Sequence, residues 1–175
     1  MKAPRPISTL LAALALLTAC DSSDCTDNRN SLPLAGFRSS GSDTQQISLD
    51  TLRIAGLGAP GDSAMTLTRA SQAYLPFDFE SHTTTFVLRY NALPPAVYDT
   101  ISFNYDPQPW FGSAKCGVIY RYKMNRISHT THFVDSVTCP GSVIDNTPGE
   151  NIFIYFRIGT EPDAPRMTKP HSIQR

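Results

Sequence analysis

An all-β fold, an antiparallel β-sandwich of immunoglobulin-like kind with seven to eight strands, follows from three observations on the 175-residue sequence. Apolar residues alternate with polar ones in short runs, clusters of Gly, Pro, Asn and Asp separate those runs, and the folded part shows no apolar repeat at the helical period of about 3.6 residues. Hydrophobic residues make up 41% and charged residues 17%, the proportions of a globular chain, while 14 Pro and 10 Gly argue against long helices. Lys and Arg number 15 against 15 Asp and Glu, so the basic excess that phosphate binding requires is missing and nucleic acid is not an expected partner. The length suits one domain.

Each strand has its own signature. Residues 32–38 contain Pro33, which cannot donate to a ladder, so this segment is expected on an edge. Ile47 and Leu49 have one parity and Leu52 and Ile54 the other, which requires the inward face to switch at a bulge or break at Asp50 and Thr51. Phe86, Leu88 and Tyr90 form one face of a half-buried strand, Ile101, Phe103 and Tyr105 another, and Val118, Tyr120, Tyr122 and Met124 a third. Leu88, Phe103, Tyr120 and Ile154 are expected inside. Ile152, Ile154, Phe156 and Ile158 face one side while Phe153 and Tyr155 face the other, the two-sided pattern of a central strand. Breakers at 56–61, 91–95, 106–109 and 140–149 separate these segments. A closed barrel is the competing arrangement.

The N-terminus is an address. Lys2 and Arg5 precede an apolar run at 7–17, shorter than the roughly 20 residues of a spanning helix, as in a secretory signal. The Leu-Thr-Ala-Cys block at 17–20 resembles a bacterial lipobox, which implies that Cys20 receives a diacylglyceryl group and becomes the first residue of the mature chain. Removing 1–19 takes Lys2 and Arg5 and no acid, leaving 13 positive and 15 negative residues. The expected organisation is a signal peptide at 1–19, an acidic tether at 20–30 with Asp21, Asp24 and Asp27, a sandwich at 31–159, and a disordered tail at 160–175. The acidic tether resembles the surface-export signals of Bacteroidota lipoproteins.

With Cys20 committed to lipid, Cys25, Cys116 and Cys139 are left in an oxidising compartment, enough for one bridge. A hairpin centred near Ile127 would set Cys116 against Cys139, whereas Cys25 with Cys116 would staple the tether to the sandwich. The order of an early Asp-Cys (Asp24, Cys25), Leu-Pro-Phe-Asp at 75–78, Asp-Thr-Ile-Ser-Phe at 99–103, Ser-Ala-Lys-Cys-Gly at 113–117 and Ile-Phe-Ile-Tyr-Phe at 152–156 resembles an uncharacterised family of small Bacteroidota envelope lipoproteins. That resemblance implies a Cys25–Cys116 bridge, with Cys139 a departure from the pattern, and it implies no activity.

Candidate chemistry is sparse. Gly61, Asp62 and Ser63 are similar to a lipase serine block, but His171 lies in the tail without the acidic block such a site needs, so a turn is expected. His129 and His132 are three apart, which points them to opposite faces of a strand, and no third ligand stands nearby. His82 is a loop contact. The string Gly56, Gly58, Gly61 is interrupted by Pro60 and is not followed by a helix, so it is a loop and not a phosphate cradle. Asp78 and Glu80 on one strand would share a face, as a carboxylate pair for acid and base work does. Among the aromatics at 98, 105, 110, 111, 120 and 122, core packing is expected for most, and Trp110, next to Pro109, is the expected exposed ligand contact.

No cofactor, metal or catalytic set is expected. The expected function is that of a lipid-anchored cell-envelope sandwich, in the outer membrane, with a binding or structural role toward an outer-membrane or extracellular protein, through loops near 56–62 and 107–110. An envelope enzyme acting on glycan or peptide and an accessory subunit of an outer-membrane barrel are the alternatives. Replacing Cys20 with Ala is expected to move the protein from the membrane fraction to the soluble one; unchanged retention, with an unmodified N-terminus in the wild type by mass spectrometry, contradicts the anchor.

Overall fold

A computed structural model describes residues 32–41, 44–58, 64–90, 96–113, 117–145, 147–157 and 167–168. The alternation seen in the sequence becomes two packed sheets, so the all-β sandwich is the fold. One sheet holds β1 (Leu34–Ser39), β4 (Gln72–Tyr74), β8 (Val134–Thr138) and β10 (Ile152–Phe156), in the order β4-β1-β10-β8. The other holds β2 (Ser48–Gly56), β5 (Thr83–Arg89), β6 (Tyr98–Ser113), β7 (Gly117–His129), β9 (Val143–Ile144) and β11 (Met167–Thr168), in the order β11-β2-β5-β6-β7-β9, with β3 (Met65–Ala70) paired to β2. Pairing is antiparallel except between β1 and β10, which run parallel with Phe37 opposite Ile154. Eleven strands stand among the described residues where seven or eight are expected, because β4, β9 and β11 are two or three residues long and too short to carry a period-two signal.

On β5, β6 and β10 the in-facing residues are those the parity selects, whereas on β7 Val118 is exposed and Ile119, of the opposite parity, is buried. Phe86, Leu88, Ile101, Phe103, Tyr105, Ile152, Ile154 and Phe156 are all buried. Tyr120, expected inside with Leu88, Phe103 and Ile154, is only half-buried. Phe77, from the extended Leu-Pro-Phe-Asp segment, sits at the centre: its ring stacks on Tyr105 at 4.7 Å and meets Phe103 at 5.0 Å and Tyr122 at 5.3 Å. Such aromatic pairs add about 0.5–1.5 kcal/mol each beyond area burial. β10 is central, as its two-sided pattern requires. Gly36 on β1 is needed because the Glu150 carboxylate, paired with Arg38, occupies the space a side chain would take.

Three expectations change. The 32–38 segment is not an edge: β1 lies between β4 and β10, because Pro33 precedes the strand and contributes only its carbonyl, which accepts the Leu75 N–H at 2.8 Å. Residues 106–109 are not a break. Tyr105 donates its N–H sideways to His82 O at 2.9 Å, so Pro107 and Pro109, of the same parity, lack their N–H on the side where β5 has already ended opposite Asn104. No ladder bond is lost there. Nor does a hairpin turn at Ile127: β7 runs straight through, with only a bulge that leaves Asn125 unmatched between Met124 (opposite Tyr105) and Arg126 (opposite Asn104). The face switch in β2 occurs where expected, but β3 switches with it. Leu49 faces Ala70 and Leu52 faces Leu67 in one continuous register, and Arg69, opposite the switch, takes a left-handed φ of 50°.

Asp99 shares the inward parity of Ile101 and Phe103 and is completely buried. Its Oδ1 accepts from Thr130 Oγ1 at 2.7 Å and the His132 N–H at 2.8 Å, and its Oδ2 from the N–H groups of Phe133 and Val134 at 2.8 and 3.0 Å and from the Tyr90 hydroxyl at 2.9 Å. Burial alone would raise its pKa, but the hydrogen bonds outweigh burial and hold the carboxyl below its ordinary value. A depressed folded-state pKa stabilises the fold above the unfolded value of about 3.9 and loses that contribution as pH falls through the folded value. Asp99→Asn is therefore expected to cost about 3 kcal/mol at neutral pH, with the gap to wild type narrowing below about pH 4. Thermal unfolding of both proteins across that range checks this, and parallel curves contradict it.

Candidate functional site

The sheets differ in length, and the difference creates a surface. β6 and β7 have 16 and 13 residues, whereas β1, β10 and β8 have 6, 5 and 5. At about 3.4 Å per residue β6 runs about 50 Å against about 20 Å for β1, so the far end of the β6–β7 hairpin outruns its cover. Cross-strand pairs share a face, and the core-facing series continues outward as Pro107–Tyr122, Pro109–Tyr120 and Phe111–Val118. Along it burial fades: Tyr122 is buried, Tyr120 is half-buried with Phe79 stacked on it at 4.7 Å, and Phe111 and Val118 are 65% and 60% exposed. On the opposite parity Trp110 is 45% exposed, with the Arg121 guanidinium 3.7 Å from its ring centroid. Arg121 Nε is shielded from solvent and has no hydrogen-bond partner among the described residues. Its charge also helps the Thr147 hydrogen bonds to hold the Asp145 carboxyl below its usual value.

Two hollows lined by apolar side chains meet at Leu32, and one of them adjoins this hairpin. One of about 440 Å³ lies between its inner face and Phe77, Phe79 and Leu32; the other, of about 310 Å³, shares Leu32 and is walled by Ile54, Met65, Tyr74 and Phe86. Among the described residues no carboxylate, histidine or thiol lines either. The Tyr122 hydroxyl, pushed up to about 12 by burial, donates to Phe77 O at 3.4 Å and is no proton carrier near neutrality. The site offers apolar, aromatic and cation–π contact.

The other sequence candidates are dispersed. Asp78 and Glu80 do not share a strand face: Asp78 Oδ1 accepts the Glu80 N–H at 2.9 Å in a turn through Phe79 and Glu80, a local bond that competes with strand pairing. His129 Nδ1 lies 3.0 Å from Thr130 O, His132 Nδ1 lies 3.6 Å from Asp99, and His82 pairs with Asp106 at 3.4 Å. Cys139 is a free thiol that donates to Gly141 O at 3.0 Å, and burial pushes its pKa up. The described residues give no support to a disulfide. Cys20, Cys25, Cys116, Gly61, Asp62, Ser63 and His171 lie outside them. Phe111 and Tyr98 are exposed where packing is expected, because the first sits on the overhang and the second begins β6 with Arg89 beside its ring. Arg121 and Phe79 are missed by sequence reasoning. Phe79 carries no signal, whereas an Arg opposite Gln108, one pair from Trp110, is visible once the hairpin register is known.

The fold and site define a two-sheet β-sandwich whose longest hairpin presents an aromatic overhang. The chain belongs to a family of unknown function, DUF6452, whose model matches residues 51–156, from within β2 to the end of β10. No curated protein and no solved structure matches it. Trp110→Ala removes only an exposed stack worth about 0.5–1 kcal/mol, whereas Phe103→Ala removes core volume worth about 3–5 kcal/mol. Chemical denaturation is expected to separate the two variants by that margin; equal loss contradicts the assignment of Trp110 to the surface.

Proposed function

We propose that this protein is a cell-envelope lipoprotein, acylated at Cys20 and held in the outer membrane, that works as a non-catalytic binding module. In this reading the Trp110–Arg121 face of the overhang engages an envelope or extracellular protein. The observation that carries it is the exposure of Trp110 with a stacked guanidinium on the long hairpin, because aromatic and Arg side chains are the usual energetic centres of protein interfaces. The dispersal of Asp78, Glu80, His82, His129 and His132 onto separate local partners agrees with a surface that binds and does not catalyse. The lipobox-like block and acidic tether support the anchor and the Bacteroidota-type envelope location.

Capture from detergent-solubilised envelopes with wild type, Trp110→Ala and Arg121→Ala tests the reading. A stoichiometric partner retained by wild type and lost by both variants is the expected result. Turnover of a glycan or peptide by the purified protein, abolished by substitution at Asp78 or Glu80, replaces it with the enzymatic alternative.

A further inference from the structure

We infer that the inner face of the overhang, carried by Phe111, Val118, Tyr120 and Phe79, seats on the lipid surface that holds Cys20. The inference rests on the anchored reading above and adds a second contact to the single lipid attachment. Two properties of the hairpin carry it. The apolar pairs Pro109–Tyr120 and Phe111–Val118 lie on one face, while the other carries the polar pairs Asp106–Lys123 and Gln108–Arg121 and, toward the tip, Trp110–Ile119. The inner face is thus continuously apolar, and apolar-aromatic surfaces of this kind lie in the interfacial zone of bilayers. The face is also core-type surface that outlasts its partner sheet, with Phe111 and Val118 the most exposed cross-strand pair on it.

The tether selects the occupant. Leu32, the first described residue, borders the hollow beneath Val118 and Tyr120, so the chain from Cys20 reaches the fold at this face. Residues 21–31 span at most about 40 Å when fully extended, which keeps the sandwich close to the headgroups. Those eleven residues are Asp, Ser, Asn, Thr, Arg and one Cys, and cannot fill an apolar hollow themselves. A second copy adding a strand along β6 meets Pro107 and Pro109, which offer no donor. Among the described residues, the cross-strand pairs of this face carry no ionised group with which to orient a charged protein partner. A bilayer needs none.

The test uses the mature chain from residue 20 with Cys20→Ala, so that no acyl group contributes, and vesicles of phosphatidylethanolamine and phosphatidylglycerol. The expected result is co-sedimentation that survives high salt and a fall in partitioning of about tenfold or more in Phe111→Ser/Val118→Ser. Val143→Ser, an exposed apolar residue on β9 outside this face, is expected to bind as the parent does. No co-sedimentation, equal binding by Phe111→Ser/Val118→Ser, or a vesicle-independent dimer lost in that variant each overturns the proposal. Mass spectrometry of the wild type separates the two levels: an acylated Cys20 with no vesicle binding defeats the seating alone, and an unmodified Cys20 defeats the anchored reading and the seating together.

Discussion

One buried carboxylate holds this sandwich together. Asp99 begins the inward series of β6, and the donors it accepts from include the main chain of His132, Phe133 and Val134, where the chain leaves one sheet and enters the other at β8. With five donors converging on its two oxygens, the group repays the cost of leaving water only if the 130–134 segment is in place. Among the described residues Asp99 is the one acidic side chain that is fully buried. Sheet-to-sheet order and loop order are thus the same event, and Tyr90, whose hydroxyl bonds the same oxygen and whose ring meets Phe133 at 4.8 Å, joins the strand before β6 to that event.

Around this point the topology is demanding. β1 pairs in parallel with β10 across more than 100 residues of sequence, so the four-stranded sheet cannot close until β10 is in place. The β5–β6–β7 meander is local by comparison and supplies the template on which Phe77 packs. Long-range parallel closure over a preformed meander is the pattern expected of slow-folding β proteins.

Much of the fold was legible because period two is a strong signal wherever one face is wet. It identified Phe86–Leu88, Ile101–Tyr105 and the central Ile152–Phe156 strand, and it located the switch in β2. It failed where other physics governs. Prolines at 107 and 109 read as a turn because their tolerance depends on which side of β6 is open, a property of the neighbour's length and not of the local sequence. Asn125 sits where a turn is plausible, yet a single bulge absorbs it. Asp99 was legible in principle, as an acid on an inward parity, but its purpose depends on main-chain donors more than thirty residues away. For the candidate site, the exposure of Trp110 was readable from its proline context, whereas the overhang that exposes Phe111 arises from unequal sheet lengths and has no local code.

The two prolines of β6 have a further effect on how molecules meet. Beyond β5, the outer rim of the long hairpin would otherwise present alternate free amides, and strands that share a surface collide edge to edge far more often than they do in bulk solution. Lacking N–H groups at 107 and 109, this rim offers a neighbouring molecule two fewer donors for a hydrogen-bonded ladder. The longest and most aromatic element thereby presents an edge that is a poor template for a neighbour's strand.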